Sequence, residues 1–227
     1  MHFSEKFPQE AIKKSLIIRQ AEYDGGRKGG GRRAEDGERM VIEKSNSCGG
    51  YHGTLEIVRA YNEDFISIIA MEGEMPILDQ ITVVASSKWI LDRLTVIQDD
   101  AAEPLQLTLL EIQKHNWSGP TFEIIVRNSS FFSTVNSAQW TRKDCNSKAC
   151  NGAYLTGDYI LLENNHFANV NFGITVSGNF TDVISNVIEN FAGDGLRGPG
   201  QNIVFRGNVV TNCYDVNENH DDGFQSW

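Results

Sequence analysis

The chain has 227 residues, 40% of them hydrophobic, which is enough for one domain or a small pair of domains with a sizeable core. Its formal net charge of −10 argues against a general nucleic-acid-binding protein, which would carry a basic face. No apolar run is long enough to predict a membrane span, and the first residues lack the apolar core of a signal peptide.

Residues 1–47 are predicted to form a separate N-terminal segment. Within it, residues 10–19 are weakly amphipathic and fit either a helix or a strand. Residues 25–38 are rich in glycine and charge, which is typical of a flexible loop. From about residue 39, short β-branched or aromatic runs bounded by turn residues predict strands. These runs cover residues 40–42, 55–58, 65–69, 81–84, 89–91 and 107–112.

The second half of the chain repeats. Gly152, Gly173, Gly195 and Gly223 open similar segments at intervals of 21, 22 and 28 residues. Each repeat contains an apolar strand, an asparagine-containing turn and another short strand, without a helical spacer. Such a period predicts an all-β solenoid of coils of 21–22 residues, which we place at residues 48–227.

Three asparagines share this period. Asn165, Asn186 and Asn208 lie 21 and 22 residues apart. Asparagine tolerates left-handed backbone geometry in turns, and stacked asparagine side chains can hydrogen-bond along a ladder. We therefore predict a structural role for these residues rather than a catalytic one.

Alignment on the four glycines assigns side chains to two faces, because strand residues alternate. The residues that follow the glycines are apolar and are predicted to face the core: Ala153, Ile174, Leu196 and Phe224. The next residues are predicted to face outward: Tyr154, Thr175, Arg197 and Gln225. The residues before the glycines lie where the chain turns into the strand: Asn151, Phe172, Asp194 and Asp222. Asp194 and Asp222 are therefore predicted to lie one coil apart.

Two segments interrupt the period. Residues 133–150 form a polar loop with several cationic side chains, and such an insertion often projects from a binding face. Before Asp222, about six extra residues bring in Tyr214, His220 and Asp221. The carboxylates gathered there would either raise the pKa of one of them or hold a cation such as Ca²⁺.

The four cysteines lack metal-ligand spacing. Cys145 and Cys150 flank four residues of a polar loop and could close a disulfide in an oxidising compartment, a question that the sequence leaves open. Cys48 and Cys213 are predicted to be small core residues. Trp117 is a candidate either for stacking on a sugar ring or for covering an edge of the core.

The asparagine-containing coils and the segments 194–197, 220–225 and 50–57 resemble the right-handed parallel β-helix superfamily. This superfamily includes pectate and alginate lyases, mannuronan C5-epimerases and polygalacturonase-type hydrolases. The resemblance covers roughly residues 48–227 and implies an all-β, right-handed parallel β-helix that binds an acidic polysaccharide along one sheet. It also implies a secreted or periplasmic protein. The chain ends before the later coils of a polygalacturonase-type site, so we expect it to be truncated at the C-terminus, and we expect a monomer.

Removal of the C5 proton of a uronate, by a lyase or an epimerase, is the first of three functional hypotheses. The substrate carboxylate would be neutralised by Arg197 or by Ca²⁺. His220 or Tyr214 would serve as the base, and Tyr154 or Tyr214 as the acid. An arginine beside a histidine and acids suits an acidic sugar, which ranks this hypothesis slightly ahead of hydrolysis.

The two alternatives are an inverting glycoside hydrolase, in which Asp194 acts with Asp221 or Asp222, and a non-catalytic carbohydrate-binding or adhesive β-helix. The predicted catalytic residues are His220, Asp221, Asp222, Arg197 and Tyr214. The predicted substrate-binding residues are Tyr154, Gln225, Asp194 and Trp227, and the candidate metal ligands are Asp194, Asp221 and Asp222.

Overall fold

A computed structural model describes residues 53–73, 75–98, 107–216 and 222–226, together with the backbone of two earlier strands. In chain order the strands are β1 (Lys14–Ile18), β2 (Glu38–Ile42), β3 (Thr54–Val58), β4 (Tyr61–Ala70), β5 (Ile77–Leu78), β6 (Gln80–Val84), β7 (Ser87–Asp92), β8 (Thr95–Ile97), β9 (Thr108–Gln113), β10 (Phe122–Arg127), β11 (Ser130–Phe132), β12 (Asn151–Leu155), β13 (Asp158–Glu163), β14 (His166–Val170), β15 (Ile174–Val176), β16 (Asp182–Ile184), β17 (Val187–Phe191), β18 (Leu196–Arg197), β19 (Val204–Arg206), β20 (Val209–Cys213) and β21 (Phe224–Gln225). A short helix, α1 (Arg142–Lys148), lies between β11 and β12. Within the described residues, no helix has the length and apolar character needed to cross a membrane.

The strands form three parallel sheets through which the chain winds in sequence order. Sheet A has the order β1-β2-β4-β7-β10-β13-β16-β19, sheet B the order β5-β8-β11-β14-β17-β20, and sheet C the order β3-β6-β9-β12-β15-β18-β21. A complete coil takes one strand from each sheet, as β13, β14 and β15 do. Leu161 pairs with Asp182 and Asp182 with Val204, steps of 21 and 22 residues. The protein is therefore a right-handed parallel β-helix, and the predicted fold class is confirmed.

The two earliest strands continue sheet A. β1 pairs with β2, and β2 pairs with β4 in the parallel sense. The choice between helix and strand at residues 10–19 is thus settled as a strand at Lys14–Ile18. The division of the chain at residue 48 stays a prediction, and residues 25–37 of the glycine-rich segment lie outside the described residues.

A continuous apolar core fills the space between the sheets. It is built from inward-facing isoleucine, leucine and valine side chains of successive coils, together with aromatic rings such as Phe131 and Phe167, which stack with centroids 4.7 Å apart. Full burial of one such aliphatic or aromatic side chain contributes roughly 1.5–3 kcal/mol. Trp89 is also buried, and its indole nitrogen donates to the Ala60 carbonyl oxygen at 2.9 Å.

The predicted asparagine ladder is present at the two-residue corner between sheets A and B. The side-chain oxygen of Asn208 accepts from the backbone nitrogen of Asn186 at 2.8 Å, and that of Asn186 accepts from the nitrogen of Asn165 at 2.9 Å. The side-chain oxygen of Asn165 accepts from the backbone nitrogen of Ser129 at 3.0 Å. The Ser129 hydroxyl oxygen in turn accepts from the backbone nitrogen of Leu94 at 3.0 Å. The ladder therefore satisfies buried backbone donors that no sheet reaches.

A second conformational rule operates at the same corner. The first residue after each sheet A strand from β7 onward adopts a positive φ, between 52° and 66° in the column Arg93, Asn128, Asn164, Ser185 and Gly207. The left-handed region turns the chain within two residues and is most accessible to glycine and asparagine. This explains why the corner sequences are rich in those two residue types.

The insertion at residues 133–150 contains a helix that the sequence analysis did not predict. Thr141 caps α1: its hydroxyl accepts from the backbone nitrogen of Asp144, and the Asp144 carboxylate accepts from the backbone nitrogen of Thr141. None of the seven helical residues is buried. The sequence of the helix therefore lacks the apolar periodicity that predicts a helix, and the capping pair Thr141 and Asp144 is the one sequence feature that indicates its start.

The described cysteines are free thiols, so Cys145 and Cys150 form no disulfide in this structure. Cys150 is fully buried, and this burial raises the pKa of its thiol to about 11, against a lowering effect of the hydrogen bond with Ser133. The prediction that Cys213 is a core residue is wrong, because it is exposed at the end of an edge strand of sheet B. Cys48 lies outside the described residues.

Loss of one ladder residue tests the role of the corner. Asn186→Ala removes the acceptor of the Asn165 backbone donor and the two bonds that the Asn186 amide donates. We expect it to lower the free energy of unfolding by about 2–4 kcal/mol, measured by urea titration followed by circular dichroism. Asn136→Ala, at an exposed position that accepts only from Ala138, is the matched control and should cost less than about 1 kcal/mol. Equal losses in the two variants would contradict a special role for the ladder.

Candidate functional site

Sheet C displays one straight row of outward side chains. Tyr154 pairs with Thr175, Thr175 with Arg197, and Arg197 with Gln225. On the other side, Tyr154 pairs with Glu111, Glu111 with Thr82, and Thr82 with Glu56. We call these seven residues the outward row: Glu56, Thr82, Glu111, Tyr154, Thr175, Arg197 and Gln225. Its members are about 4.8 Å apart from one coil to the next, and the predicted outward face is confirmed.

The neighbouring inward column is also as predicted for three of its four members. Ala153, Ile174 and Leu196 are buried. Phe224 differs, with 52% of its surface exposed, because β21 is an edge strand among the described residues and pairs there with β18 alone. Its ring meets that of Phe205 edge-on, with centroids 5.2 Å apart.

The repeated glycines have a steric cause. A Cβ atom on Gly152 would collide with the carbonyl oxygen of Gly173, and a Cβ on Gly173 would collide with that of Gly195. Successive coils thus touch backbone to backbone where the chain enters sheet C. Only glycine permits this approach, which fixes the register of the outward row.

Arg197 is held in place from two sides. Its Nε lies 3.0 Å from Oδ2 of Asp194, and its guanidinium carbon lies 5.3 Å from the centroid of the Phe172 ring. Phe172 in turn rests on Gly193, where a Cβ atom would overlap the ring. The Arg197 side chain keeps 29% of its surface exposed, whereas Asp194 keeps 3%. Cation–π and carboxylate contacts together orient the guanidinium in the row.

Asp194 does not lie on the surface that the sequence analysis assigned to it. It is buried beneath Arg197, and its Oδ1 accepts from the backbone nitrogen of Asp222 at 3.3 Å. Asp194 and Asp222 are therefore one coil apart, as predicted, but only Asp222 is exposed. Asp194 connects two coils and orients Arg197, and it is not available to contact a polymer.

Tyr214, predicted as a catalytic base or acid, makes its described contacts with sheet B. Its hydroxyl donates to Oδ1 of Asn190 at 3.1 Å, and its backbone nitrogen donates to the Phe191 carbonyl at 2.7 Å. These contacts fix the phenol at the sheet B side of the corner, whereas Arg197 lies on sheet C. Asn190 belongs to a second asparagine row, Asn169, Asn190 and Asn212, whose members are joined by side-chain bonds of 3.1 and 3.3 Å.

Two insertions meet at the corner between sheets B and C. Residues 133–150 precede β12, and residues 214–223 precede β21. The Nε of Arg142 and the Nδ2 of Asn146 both donate to the carbonyl oxygen of Val216, the second at 3.3 Å. Helix α1, which lies between β11 and β12, therefore reaches the segment that follows β20.

The helix is basic. The exposed residues of α1 include Arg142, Lys143 and Lys148, and Lys148 pairs with Asp144 at 2.7 Å. This ion pair holds the pKa of Asp144 well below its usual range, chiefly through the bond with Lys148. One acid against three bases gives the helix a positive net charge, and the exposed Asp215 adjoins the Val216 that the helix contacts.

Three of the predicted site residues, His220, Asp221 and Trp227, lie outside the described residues. Among those described, no three histidine, cysteine, aspartate or glutamate side chains are grouped for metal binding. Asp194, one of the candidate Ca²⁺ ligands, has one oxygen on Arg197 and the other on the Asp222 backbone. These contacts do not fit a Ca²⁺ ligand, so no step of the chemistry below depends on the metal.

The sequence analysis missed the first half of the row. Glu56, Thr82 and Glu111 come before the clear repeat, and only strand pairing identifies them with Tyr154 and Arg197. Glu111 is half-buried and accepts from the Gln113 amide at 2.9 Å. Burial raises the pKa of its carboxyl above the ordinary 4.5, and a hydrogen bond with Thr108 offsets part of that rise.

Trp117 is exposed rather than covering the core. Its side chain has 83% of its surface exposed, in a tight loop closed by reciprocal backbone bonds between His115 and Gly119. The His115 ring contacts the indole edge-on at a centroid distance of 4.6 Å. The loop follows β9, so this tryptophan belongs to the same coil as Glu111.

Comparisons of the chain with protein-family models, with curated proteins and with solved structures found no match. The class of protein is therefore defined by the fold alone, as a parallel β-helix.

The partly buried carboxyl of Glu111 predicts a pH-dependent effect. Below pH 4.5 this group is protonated in the folded and the unfolded chain, so Glu111→Gln changes little. As the pH rises through the raised pKa, the folded chain must carry a poorly solvated carboxylate, and stability is lost. We expect Glu111→Gln to raise the urea midpoint at about pH 8 and to leave it unchanged at about pH 3.5. Glu56→Gln, at the exposed end of the row, is the control. An equal gain in that variant would assign the effect to general relief of negative charge.

Proposed function

We propose that the protein binds a uronate-containing polysaccharide along the outward row of sheet C and removes the C5 proton of a sugar held at Arg197. This is the reaction of the lyases and C5-epimerases in the pectate lyase-like superfamily that the sequence resembles. The observation that carries the proposal is the position of Arg197, an arginine in a polar row, oriented by Asp194 and Phe172.

The charges around Arg197 support an acidic ligand. A guanidinium is a planar donor that matches a carboxylate. The ion pair with Asp194 offsets part of its charge, and the bases of α1 lie on the insertion that leads into β12, the strand that contains Tyr154. Together they suit a polyanion on a chain whose net charge is −10.

The row also has a group for proton transfer. In elimination, a base takes the C5 proton, the electron pair forms the C4–C5 double bond, and the bond from C4 to the leaving oxygen breaks. That oxygen must then gain a proton. Tyr154 lies in the row two coils from Arg197 and is 38% exposed, which suits it for this role. His220 remains the candidate base from the sequence. In an epimerase, the C5 carbanion would instead be reprotonated from the other face.

Hydrolysis by paired aspartates is less well supported. That mechanism requires an acid and a base that both reach the substrate, and Asp194 is buried against Arg197. A binding protein without catalysis is the better alternative, because Asp194 and Tyr214 both have roles within the fold. Secretion or a periplasmic location, and a monomeric state, accompany the main proposal.

Absorbance of unsaturated uronates tests the proposal. With pectate, alginate and glycosaminoglycans as substrates, we expect an increase for the wild type that falls about 10²- to 10⁴-fold in Arg197→Gln and in Tyr154→Phe. The matched controls are Arg206→Gln, an exposed arginine on sheet A, and Tyr159→Phe, outside the row. Both should retain full activity.

Each other outcome has a defined meaning. New reducing ends without absorbance would indicate a hydrolase, and altered sugar configuration without cleavage would indicate an epimerase. Binding that depends on Arg197, without any change in the polymer, would indicate a binding protein. Failure to bind any of these polymers would overturn the proposal.

A further inference from the structure

The outward row is divided by charge. The sheet C strands before Tyr154, which are β3, β6 and β9, contain Glu56 and Glu111 and no lysine or arginine. The strands from β12 onward, which are β12, β15, β18 and β21, contain Arg197 and no acid. One polymer lying along the row would therefore meet outward carboxylates at one end and the Arg197 guanidinium, paired with the buried Asp194, at the other.

Two cations follow the strands of the acidic half, but its carboxylates form no ion pair with them among the described residues. Glu111 makes no ion pair with any residue in the described part of the chain. Asp79, at the entry to β6, adds another carboxylate, whose pKa burial also raises. The cations nearest along the chain, Arg59 and Lys114, lie beyond the ends of β3 and β9, and Arg59 donates to Ser118 in the Trp117 loop at 3.4 Å.

The same half has the groups that bind uncharged sugars. A carboxylate accepts hydrogen bonds from hydroxyl groups, and an exposed indole offers an apolar face beside a polar edge. Glu111 and Trp117 supply these two groups from one coil. Glu111 lies three coils from Arg197, a separation of about 14 Å along the row.

We propose that Glu111 is a specificity-determining residue, which excludes a uronate from the coils before Tyr154 and selects a heteropolysaccharide whose acidic sugar at Arg197 is joined to uncharged sugars. This inference rests on the proposed function, since it assumes that a polymer lies along the outward row. A uniform polyuronate would place a carboxylate against Glu111 in a partly desolvated site, where like charges repel strongly. Trp117 contributes by stacking on the uncharged portion.

Polymers of graded charge provide the test. Pectate and alginate can be chemically reduced so that known fractions of their carboxylates become primary alcohols, which keeps the backbone and changes only the charge. Binding by affinity electrophoresis and turnover by absorbance are measured for each member of the two series. For the wild type we expect an optimum at intermediate uronate content.

The variants separate the contributions. Glu111→Gln should move the optimum to the fully charged polymer and improve binding of it by about tenfold. Trp117→Ala should weaken binding of the reduced polymers and leave that of the fully charged polymers unchanged. Arg197→Gln should weaken binding of every polymer that retains uronates. Urea midpoints confirm that each variant is folded.

Two failures are distinguishable. If wild-type binding rises steadily with uronate content and Glu111→Gln has no effect on it, the specificity role is overturned while the proposed function stands. If no polymer of either series is bound, or if Arg197→Gln binds them all as well as the wild type, the proposed function itself is overturned.

Discussion

The stacking of parallel coils at one strand spacing is the constraint on which the rest of the structure depends. It repeats every local environment about 4.8 Å away, so a residue that suits one coil must suit its copies above and below. The glycines that enter sheet C illustrate this: a Cβ atom on Gly152 or Gly173 would strike the backbone of the next coil. Because these contacts set the register, the side chains beyond them form straight columns, and a row of functional groups arises from the packing rule.

The corners between the sheets differ in how much their length can vary. Between sheets A and B the chain turns in two residues, and the buried backbone donors are satisfied by Asn165, Asn186 and Asn208. That corner has no room for variation, since an extra residue would break the ladder. The corner between sheets B and C accepts both insertions, at residues 133–150 and 214–223, next to the second asparagine row, Asn169, Asn190 and Asn212. Chemistry can therefore be added there without disturbing the core.

The fold could be predicted because it depends on periodicity, which sequence displays directly. The glycine and asparagine spacings gave the coils, and alternation gave the faces of Tyr154 and Arg197. The individual roles of Asp194 and Tyr214 could not be predicted from periodicity. A strand pattern does not show whether a carboxylate points to the solvent or, like that of Asp194, is buried beneath the next side chain. Glu111 was missed for another reason: its coil lacks the glycine that anchored the alignment, so only hydrogen-bonded pairing with Tyr154 places it.

The pair formed by Asp194 and Arg197 shows how such a row acquires specificity. A fully buried ion pair gives little net stability, because desolvation offsets much of the attraction, yet this pair leaves the guanidinium partly exposed and the carboxylate hidden. The buried Asp194 thus fixes the direction of the Arg197 guanidinium, at the cost of desolvating the carboxylate. Arg197 is the one cation in a row whose other members are neutral or acidic. A free lysine at that position would move over several orientations and would bind an anion as a point charge. In the proposed function, the fixed guanidinium selects one geometry of the substrate carboxylate at one coil, and Glu111, three coils away, disfavours binding of the same ligand in a shifted register.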